Sequence, residues 1–406
     1  MMRYVIVGGG VAGTAAADAI RKRDPEGSIT ILTDEPYPLW SKIRLPELFS
    51  GSIGPKGLII RKPQWYDRRD ILLRTEVTVT EVDPEAKMVT TSSGDCLPYD
   101  KLLLATGGLP YVPPIKGSDR TNVYTIRKLE QAIDVYDQLR DLRRIVIIGG
   151  GTLGLELARN LLETKAEIHV VESHSRLLPT LTDPASSEML HLRLVHMGIH
   201  VHHDCNTREI TGGDAADMVV MEDGRELDCD AVIIATGMRA NKSLAEDLGL
   251  EMERGIVVDD HMRTSLPDIY SAGDACEHRH VKYGSWRAAE EQGTMAGANM
   301  AGDPIVYDGT VPSKYVRVAG ADVFSAGHLD EEGVLENKLT VDWENMVYKR
   351  IVLDGCRIVG SVMVGDLRDA QRVLRAIETN IDVCPYMDRI RTWDMEFVSE
   401  AVKGKE

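Results

Sequence analysis

The chain has 406 residues, 43% of them hydrophobic and 27% charged, and its formal net charge at pH 7 is −17. This length accommodates two or three domains, and the negative charge argues against nucleic acid and anionic membrane surfaces as partners. The first predicted strand begins at Arg3, and no apolar run approaches the roughly 20 residues of a membrane span. A cytoplasmic protein is therefore predicted.

A glycine-rich loop follows the first apolar strand, Tyr4–Val7, and precedes a helix predicted from Ala15. Its glycines fit the pattern GxGxxG. In that pattern the first glycine allows a tight turn, the second lets a dinucleotide pyrophosphate reach the backbone, and the third allows strand and helix to pack closely. The phosphates then lie at the positive end of the helix. The candidate cofactor-binding residues here are Gly8, Gly10, Val11, Ala12 and Gly13.

The strand that follows this loop, SITILT, ends in two acids. Asp34 and Glu35 come directly after it, twenty-six and twenty-seven positions beyond Gly8. A carboxylate at this position can accept hydrogen bonds from a ribose diol. Both are therefore candidate cofactor-binding residues.

The same arrangement recurs from Arg143, with a strand, a GxGxxG loop, a helix and a strand that ends at Glu172. A glutamate there suits a free ribose 2′-hydroxyl and repels a 2′-phosphate, which favours NADH over NADPH. Arg176 lies four residues further on and weakens this preference. Because two complete patterns occur in one chain, two dinucleotide sites are predicted. The glycines of the second loop are Gly149, Gly151 and Gly154.

Three further predicted strands end in glycine turns. Two of them carry the same motif, ATG, in LLLATGGLPYVPP and VIIATGMRAN, and the third is DIYSAGDA. Each motif directly follows an apolar run, which places its turn at the end of a strand. The residues of interest are Ala105, Thr106, Gly107, Gly237, Gly273 and Asp274.

Six cysteines are scattered along the chain, and no two form a CxxC or CxxxxC pair. Scattered thiols of this kind are typical of reduced, half-buried packing residues. No His/Cys spacing typical of a metal site is found, so no zinc or iron–sulfur centre is predicted. The cysteines are Cys96, Cys205, Cys229, Cys276, Cys356 and Cys384.

Together the loops and turns resemble the two-dinucleotide-binding flavoprotein family, which includes glutathione reductase and the ferredoxin and rubredoxin reductases. The resemblance covers roughly residues 1–300. It implies an α/β fold with two Rossmann-like domains, of which the FAD domain is split in sequence, and a C-terminal α+β interface domain. The implied bounds are 1–112 and 241–303 for the FAD domain, 113–240 for the NADH domain and 304–406 for the interface domain.

The resemblance also implies roles for single residues around a tightly bound, non-covalent FAD. Asp274 would bind the ribityl chain, and Arg127 resembles an arginine near the flavin. A helix predicted from Trp286 would point its N-terminus at the flavin pyrimidine and stabilise negative charge there. Val79 resembles a residue whose backbone meets the adenine.

The segment DEPYPLWSKIRLPELFSG, residues 34–51, contains no cysteine. The disulfide and single-cysteine relays of the family are therefore excluded at these positions. The segment instead resembles PYxRPxLSK, found in reductases that pass electrons to a small protein. Trp40 takes the place of tyrosine, Lys42 that of arginine, and Leu45 matches.

Glu47 stands where that pattern ends in lysine. In ferredoxin reductases the lysine lies by the flavin and pairs with a glutamate after the second loop, which corresponds to Glu156. Two facing carboxylates are expected to raise one pKa or to draw in Lys42 or Arg44. Rubredoxin reductases and the flavin portion of nitrite reductases are more similar here, since they commonly lack the lysine. The candidate catalytic residues are Lys42, Glu47 and Glu156.

The C-terminal sequence VYKRIVLDGCRIVGSVMVGD predicts a hairpin that turns at Asp354-Gly355, with a helix after it. The final segment from Met387 is predicted to be peripheral. The resemblance leaves three roles open for the C-terminal domain, which could form a homodimer, cover the flavin in a monomer or dock a partner subunit.

The predicted function is that of an FAD enzyme that oxidises NADH and reduces a small electron carrier of the rubredoxin or ferredoxin type. Hydride would pass from nicotinamide C4 to flavin N5. The alternatives are an NADH oxidase that uses oxygen, a redox sensor resembling apoptosis-inducing factor, and a flavin subunit of a larger complex. Because such carriers are usually acidic, RKPQWYDRR is the predicted docking segment. Its basic residues are Arg61, Lys62, Arg68 and Arg69.

Overall fold

Three five-stranded sheets form the framework of the computed structural model, which describes residues 1–403. Two of them are parallel, and each contains the strand that precedes one of the glycine-rich loops. The third is antiparallel and begins at Ser313. The predicted α/β class with Rossmann-like units is confirmed. The domain bounds stay predictions, and residues 404–406 of the last domain lie outside the described residues.

The first unit has the predicted order of strand, glycine loop and helix. Tyr4–Val7 are all buried, because both faces of a parallel sheet are covered. The helix begins at Val11 rather than at Ala15, since Gly10 already serves as its N-cap. The elements are β1 (Arg3–Val7), α1 (Val11–Arg23), β2 (Ser28–Leu32), a 3-10 helix (Leu45–Ser50), α2 (Pro55–Leu58), α3 (Pro63–Asp67), β3 (Ile71–Arg74), β4 (Val79–Asp83), β5 (Met88–Thr91), β6 (Cys96–Pro98), β7 (Lys101–Leu104) and β8 (Gly108–Pro110).

The second unit repeats this arrangement and adds a three-stranded antiparallel sheet on one face of its parallel sheet. Its elements are β9 (Val123–Tyr124), α4 (Leu129–Leu139), β10 (Arg144–Ile148), α5 (Thr152–Leu161), a 3-10 helix (Leu162–Thr164), β11 (Glu167–Val171), α6 (Pro184–His196), β12 (His200–His202), β13 (Thr207–Gly212), β14 (Ala216–Met221), β15 (Glu226–Asp228), β16 (Ala231–Ile234) and β17 (Met238–Ala240). The parallel order is β12-β11-β10-β16-β9, so β12 and β9 are the edges.

Residues after the second unit return to the first sheet. Strand β19 (Ile269–Ser271) pairs with β7, and the completed order is β19-β7-β1-β2-β3. The first sheet is therefore formed from two separate stretches of sequence. The elements are α7 (Ser243–Asp247), β18 (Ile256–Val258), β19 (Ile269–Ser271), a 3-10 helix (Gly273–Ala275), β20 (Cys276–His278) and α8 (Trp286–Met300).

Helix α8 begins at Trp286, as predicted, and packs closely on α1. Two of its glycines make this close approach possible. A Cβ on Gly293 would lie 2.2 Å from the Ala12 carbonyl oxygen, and one on Gly297 would lie 2.3 Å from that of Ala16. Side chains at these positions would push the helices apart, so the two glycines fix where the N-terminus of α8 lies.

The C-terminal part contains the predicted hairpin and the helix that follows it. The antiparallel order is β21-β22-β25-β24-β23, with the hairpin turn between β24 and β25. The elements are β21 (Ser313–Val318), β22 (Ala321–Gly327), β23 (Glu336–Asp342), β24 (Val347–Asp354), β25 (Arg357–Val364), α9 (Ala370–Thr379), a 3-10 helix (Cys384–Tyr386), α10 (Met387–Arg391) and α11 (Phe397–Lys403).

Two predictions about this part are wrong. The final segment is not peripheral, because Met395 and Phe397 are fully buried against α9 and the sheet. Cys356 and Cys384 are not reduced thiols. The hairpin turn and the segment after α9 bring their Cα atoms to 5.0 Å, and the two form a disulfide. The other four cysteines are free.

The helices of the chain are all short. Crossing a bilayer takes about 20 predominantly apolar residues in one helix. Within residues 1–403, none of the helices has the necessary length together with the necessary apolar character.

Candidate active site

The two glycine-rich loops have the same backbone geometry. Gly8 has φ +117° and Gly149 has φ +118°, a region that favours glycine. A Cβ on Gly8 would lie 2.1 Å from the Ala105 carbonyl oxygen, and one on Gly149 would lie 2.5 Å from that of Ala235. Each loop therefore packs against the alanine of an ATG motif, which explains why the loop and the motif occur together twice.

The second glycine of each loop is open. Gly10 and Gly151 are the N-caps of α1 and α5, and a Cβ on either would meet no atom within 4 Å. No side chain caps either helix, so the first backbone N–H groups remain available. Gly13 and Gly154, by contrast, lie in tight helix–strand contacts, where a Cβ would be 2.0 Å from a carbonyl oxygen.

Three cavities follow one another from the first loop outwards, and Lys42 lines all of them. We call them the inner, middle and outer cavities, with volumes of about 200, 250 and 730 Å³. Predicted residues in the inner cavity are Gly8, Gly10, Asp34, Glu35, Lys42, Val79, Ala105, Thr106, Gly107 and Arg127. Those in the middle cavity are Gly10, Val11, Ala12, Lys42, Ala105, Gly107, Arg127, Gly273, Asp274 and Trp286, and those in the outer cavity are Lys42, Glu156 and Trp286.

Seven predicted residues do not line these cavities. Glu47 follows the lining residue Pro46 in sequence but does not itself line the outer cavity. Gly13 and Gly154 lie in the tight helix–strand contacts described above. The other four belong to the second unit, and they are Gly149, Gly151, Glu172 and Gly237. The helix after the second loop still reaches the outer cavity, through Thr152 and Leu153 at its N-terminus.

Lys42 is held at the junction of the cavities by Glu35. Its Nζ lies 2.7 Å from Glu35 Oε1 and 4.4 Å from the centre of the Trp40 ring, whose Nε1–H donates to Glu35 Oε2 at 2.7 Å. Burial lowers the pKa of Lys42, while the Glu35 charge opposes this shift. Asp34 pairs separately with Lys128, at 2.6 Å. Both acids at the end of β2 are therefore already engaged by cations.

A second cation and a helix N-terminus face the middle cavity. Arg127 donates from Nε to the Gly108 carbonyl oxygen at 2.8 Å, which directs its guanidinium along the cavity wall. The N-cap Ser285 accepts a hydrogen bond from Ala288 N–H, and Trp286 is the first residue of α8. The positive end of α8 therefore lies at the wall shared by the middle and outer cavities.

Glu47 and Glu156 differ in their surroundings. Glu47 draws in Arg44, with which it forms an ion pair at 2.7 Å. Burial raises the pKa of Glu156 to about 8, the Arg317 N–H opposes this rise, and the negative charge of Glu47 adds to it. Glu156 is therefore protonated at neutral pH, in the wall of the outer cavity.

Glu172 is buried and fixed at the end of β11. Its carboxylate accepts from Gly150 N–H at 2.7 Å and from His174 N–H at 2.8 Å, which ties the acid to the second loop. Arg176 is directed away and pairs with Glu331 at 2.8 Å. The arginine that weakened the preference for NADH is thus engaged elsewhere.

Sequence analysis missed a cation and a pair of interlocking hydrogen bonds. Lys314 on β21 lines the outer cavity, where burial lowers its pKa and Asp274 opposes the shift. Thr106 donates to the Asn241 carbonyl oxygen at 2.7 Å, and Thr236 donates to that of Tyr111 at 2.6 Å. The threonines of the two ATG motifs thereby lock β8 to β17, where the chain crosses between the units. The repeated threonine was a signal that could have revealed this role.

Within residues 1–403, no cysteine lines any of the three cavities. Cys276 is the thiol nearest in sequence to the site, two residues after Asp274. Its Sγ is buried against the Gly273 carbonyl oxygen and Gln292, and burial raises the pKa of this thiol to about 12. It is therefore poorly suited to redox relay chemistry.

Two parallel dinucleotide-type sheets, with a row of cavities that runs from the loop of the first to the helix after the loop of the second, are typical of nucleotide-dependent oxidoreductases. Residues 2–293 match the family model described as pyridine nucleotide-disulphide oxidoreductase, and residues 312–381 match the rubredoxin NAD+ reductase C-terminal domain. The chain belongs to the pyridine nucleotide-disulphide oxidoreductase family. The family predicted from the sequence is thus confirmed.

Individual relatives fall into two groups by length. Nitrite reductase [NAD(P)H] of Bacillus subtilis (strain 168) is 34% identical over 94% of this chain, which spans only 48% of that protein. NADH-rubredoxin oxidoreductase of Clostridium acetobutylicum is 28% identical, with 93% of this chain and 95% of that one covered. Among solved structures, a covalent putidaredoxin reductase–putidaredoxin complex matches with TM-score 0.90 and 26% identity, over 99% of each chain. The chain spans about half the length of the first relatives it matches.

Proposed function

We propose that this protein takes electrons from NADH, through a resident FAD, and delivers them to a small electron-carrier protein of the rubredoxin or ferredoxin type. When bound, FAD accepts a hydride from the nicotinamide and releases electrons to a second acceptor. The observation that carries the proposal is the row of three cavities, which runs from the first glycine loop to the helix of the second, and in whose walls the described part of the chain places no cysteine.

The residues of the inner and middle cavities fit an FAD. The open cradle at Gly10 leaves room for a pyrophosphate against the uncapped N-terminus of α1. Lys42 and Arg127 supply positive charge along the path, and Asp274 offers an acceptor for sugar hydroxyls in the middle cavity. The N-terminus of α8 would stabilise negative charge at the boundary with the outer cavity.

The outer cavity fits the reactive end of NADH. It lies between the N-termini of α5 and α8 and is closed by β21 and α9. The Glu172 carboxylate at the end of β11 favours a free 2′-hydroxyl, and Arg176 is paired with Glu331, so we propose NADH rather than NADPH as donor. The neutral Glu156 places no charge beside the incoming anionic coenzyme at pH 7.

The carrier is proposed to bind at a side groove of about 350 Å³ next to the middle cavity. Val11, Leu39 and Trp286 line both spaces, so a single layer of side chains separates them. Arg61 and Trp65 line the groove, and the Arg61 guanidinium lies 5.0 Å from the Trp65 ring centre. A carrier bound here would lie close to the FAD without needing to enter the cavities.

Charge supports this position for an acidic partner. Arg61, Lys62 and Arg68 are exposed, and within residues 1–403 none of them has a carboxylate at ion-pair distance. Arg69 is different, because it pairs with Asp18 at 2.8 Å and stacks over Trp65. Three of the four predicted docking cations are thus available to a partner.

The proposed function is tested by anaerobic spectroscopy of the purified protein. We expect a yellow protein that NADH bleaches faster than NADPH does, and that rubredoxin or ferredoxin then reoxidises. Rapid reoxidation by air and none by either carrier would instead favour the NADH oxidase alternative. Reoxidation by neither acceptor would favour a subunit of a larger complex. The first relatives are about twice as long as this chain, which is consistent with that alternative.

Charge reversal at the side groove tests the docking site. We expect Arg61→Glu to lower kcat/KM for the carrier by roughly tenfold at low salt, because it replaces an attractive charge by a repulsive one. Turnover of wild type should also fall as ionic strength rises. Lys403→Glu, an equal charge change on α11, serves as the control, and NADH:ferricyanide activity should be unchanged in both variants. An equal loss in both variants, or turnover independent of salt, contradicts this site.

Two further predictions accompany the proposal. The homodimer stays a prediction, and sedimentation equilibrium distinguishes it from a monomer.

The cytoplasmic location also stays a prediction, and the Cys356–Cys384 disulfide makes it worth testing by cell fractionation, since disulfides are uncommon in the cytosol.

A further inference from the structure

Four side chains bring imidazole and carboxylate groups together at one edge of the second parallel sheet. Glu167 and His169 lie on β11, and His200 and His202 lie on the edge strand β12. The parallel register pairs His169 with His200, and alternation along each strand places all four side chains on the same face. We propose that Glu167, His169 and His200 bind a zinc ion, with water completing the coordination.

The distances within this cluster suit a tetrahedral ion. Glu167 Oε1 lies 3.2 Å from His169 Nε2 and 3.6 Å from His200 Nε2, and the three ligand atoms all lie within 4.8 Å of one another. Bonds of about 2.0–2.1 Å at tetrahedral angles place neighbouring ligand atoms about 3.4 Å apart. The two contacts to the carboxylate already match that separation.

His202 positions one of the ligands. His169 Nδ1 lies 3.0 Å from His202 Nε2, and the planes of the two rings, whose centres are 5.3 Å apart, differ by only 11°, which suits an in-plane hydrogen bond between these nitrogens. When Nδ1 carries the proton and donates to His202, the lone pair on His169 Nε2 faces the Glu167 carboxylate and can bind a metal. The contact with His202 is therefore compatible with the tautomer that coordination requires, whereas in the metal-free chain the 3.2 Å contact of Nε2 with Glu167 favours the other tautomer.

The ligand set favours a transition-metal ion such as zinc over Mg²⁺ or Ca²⁺, and the site is accessible to it. Two imidazoles and one carboxylate are typical zinc ligands, whereas Mg²⁺ and Ca²⁺ prefer oxygen alone. The side chains of Glu167 and His200 are about half exposed, so an ion can enter directly from solvent. No sequence motif predicts the site, because its ligands lie on two strands that are neighbours only in the folded sheet. His169 and His200 are 31 positions apart in the sequence.

A bound ion would link the edge strand to the rest of the sheet. β12 has only three residues, and its last carbonyl, that of His202, accepts from Glu172 N–H at 2.9 Å. Zinc between β11 and β12 would hold this pairing and with it the segment that carries Glu172. A metal that binds the folded chain also stabilises it by mass action.

The test uses the FAD-loaded full chain without an affinity tag, after removal of metals by a chelator. Zinc is titrated against a chromophoric chelator, and the melting temperature is recorded with and without zinc. We expect one zinc per chain and a rise in melting temperature, and we expect His200→Asn and Glu167→Gln each to weaken binding by roughly 100-fold. His202→Asn should weaken it less, by roughly tenfold.

His191→Asn is the matched control, since it removes a histidine from the neighbouring His191–His203 pair on the same unit. It should bind zinc as wild type does. Failure of the wild-type protein to compete with the chelator would overturn the proposal. Binding that His200→Asn and Glu167→Gln leave unchanged, or that His191→Asn weakens equally, would overturn it too.

Discussion

Valine in place of Gly10 is expected to give a folded, nearly colourless protein, whereas valine in place of Gly151 is expected to give a yellow protein that NADH bleaches much more slowly than wild type. Both glycines are N-caps with extended backbone, at φ −73° and −80°, which L-residues adopt without strain. A Cβ at either position meets no protein atom within 4 Å. The substitutions therefore fill the approach to the helix N-terminus and leave the packing of the chain unchanged.

The pair separates the two nucleotide sites. Gly10 lines the inner and middle cavities, so its valine variant should retain less than about a tenth of the FAD. Gly151 precedes α5, which reaches the outer cavity through Thr152, so its variant should keep FAD and lose roughly 100-fold in kcat/KM for NADH. The measurements are the absorbance ratio of flavin to protein, the anaerobic rate of bleaching, and circular dichroism.

Valine at Gly13 is the control for a glycine of the same loop that is needed for packing of the chain. A Cβ there would lie 2.0 Å from the Gly8 carbonyl oxygen, so this variant should be destabilised or fail to fold. A Gly10 variant that keeps full FAD would contradict the assignment of the first loop. Loss of FAD from the Gly151 variant would contradict the separation of the two sites.

The loops could be predicted from sequence because their geometry is local. A tight turn at Gly8, an open position at Gly10 and a close contact at Gly13 all follow from residues within six positions of one another. The same holds at Gly149, which is why the two units could be recognised independently. The acids Asp34 and Glu35 were also located correctly at the end of β2. Their partners, Lys128 and Lys42, are set by tertiary packing and were not predicted.

Features that depend on distant parts of the chain were predicted less well. Cys356 and Cys384 are 28 residues apart and meet only because the segment after α9 returns to the hairpin turn. Phe397 lies in a charged segment, yet its ring stacks on Tyr386 and is fully buried. Lys314 follows no motif, and only the packing of β21 beside α5 brings it to the outer cavity. The periodicity of apolar residues along a strand or a helix describes only near neighbours in the sequence. It therefore does not predict contacts between distant segments.

The second large effect is expected at Glu156, whose pKa of about 8 makes it a neutral acid at pH 7. The unfolded chain releases this proton near the ordinary value of 4.5, whereas the folded chain keeps it up to about pH 8. The folded state therefore binds one more proton between these values, and the free energy of unfolding falls as pH rises through them. The contribution is fully present below pH 4.5 and is lost above pH 8, and it amounts to at most about 5 kcal/mol.

Glu156→Gln isolates this contribution. Glutamine keeps an oxygen that accepts from the Arg317 N–H and removes the ionisation. We expect the variant to match wild type near pH 4 and to become more stable than wild type, by about 2 kcal/mol or more, at pH 9. Urea unfolding at both pH values measures the difference. A difference that does not change with pH would show that Glu156 ionises normally.

Glu47→Lys tests how much the charge of Glu47 contributes to the raised pKa of Glu156. It also restores the lysine that ends the family pattern at this position. A cation in place of the Glu47 carboxylate would favour the ionised form of Glu156, so the pH midpoint of the stability difference should move towards 4.5 by about one unit.

In wild type, ionisation of Glu156 above pH 8 places a negative charge in the outer cavity and should slow reduction by the anionic NADH. Glu156→Gln should abolish that decline, and Glu47→Lys should shift it to lower pH. A decline that persists unchanged in Glu156→Gln would assign it to another group, and the Glu47 carboxylate would then lose its role at this site.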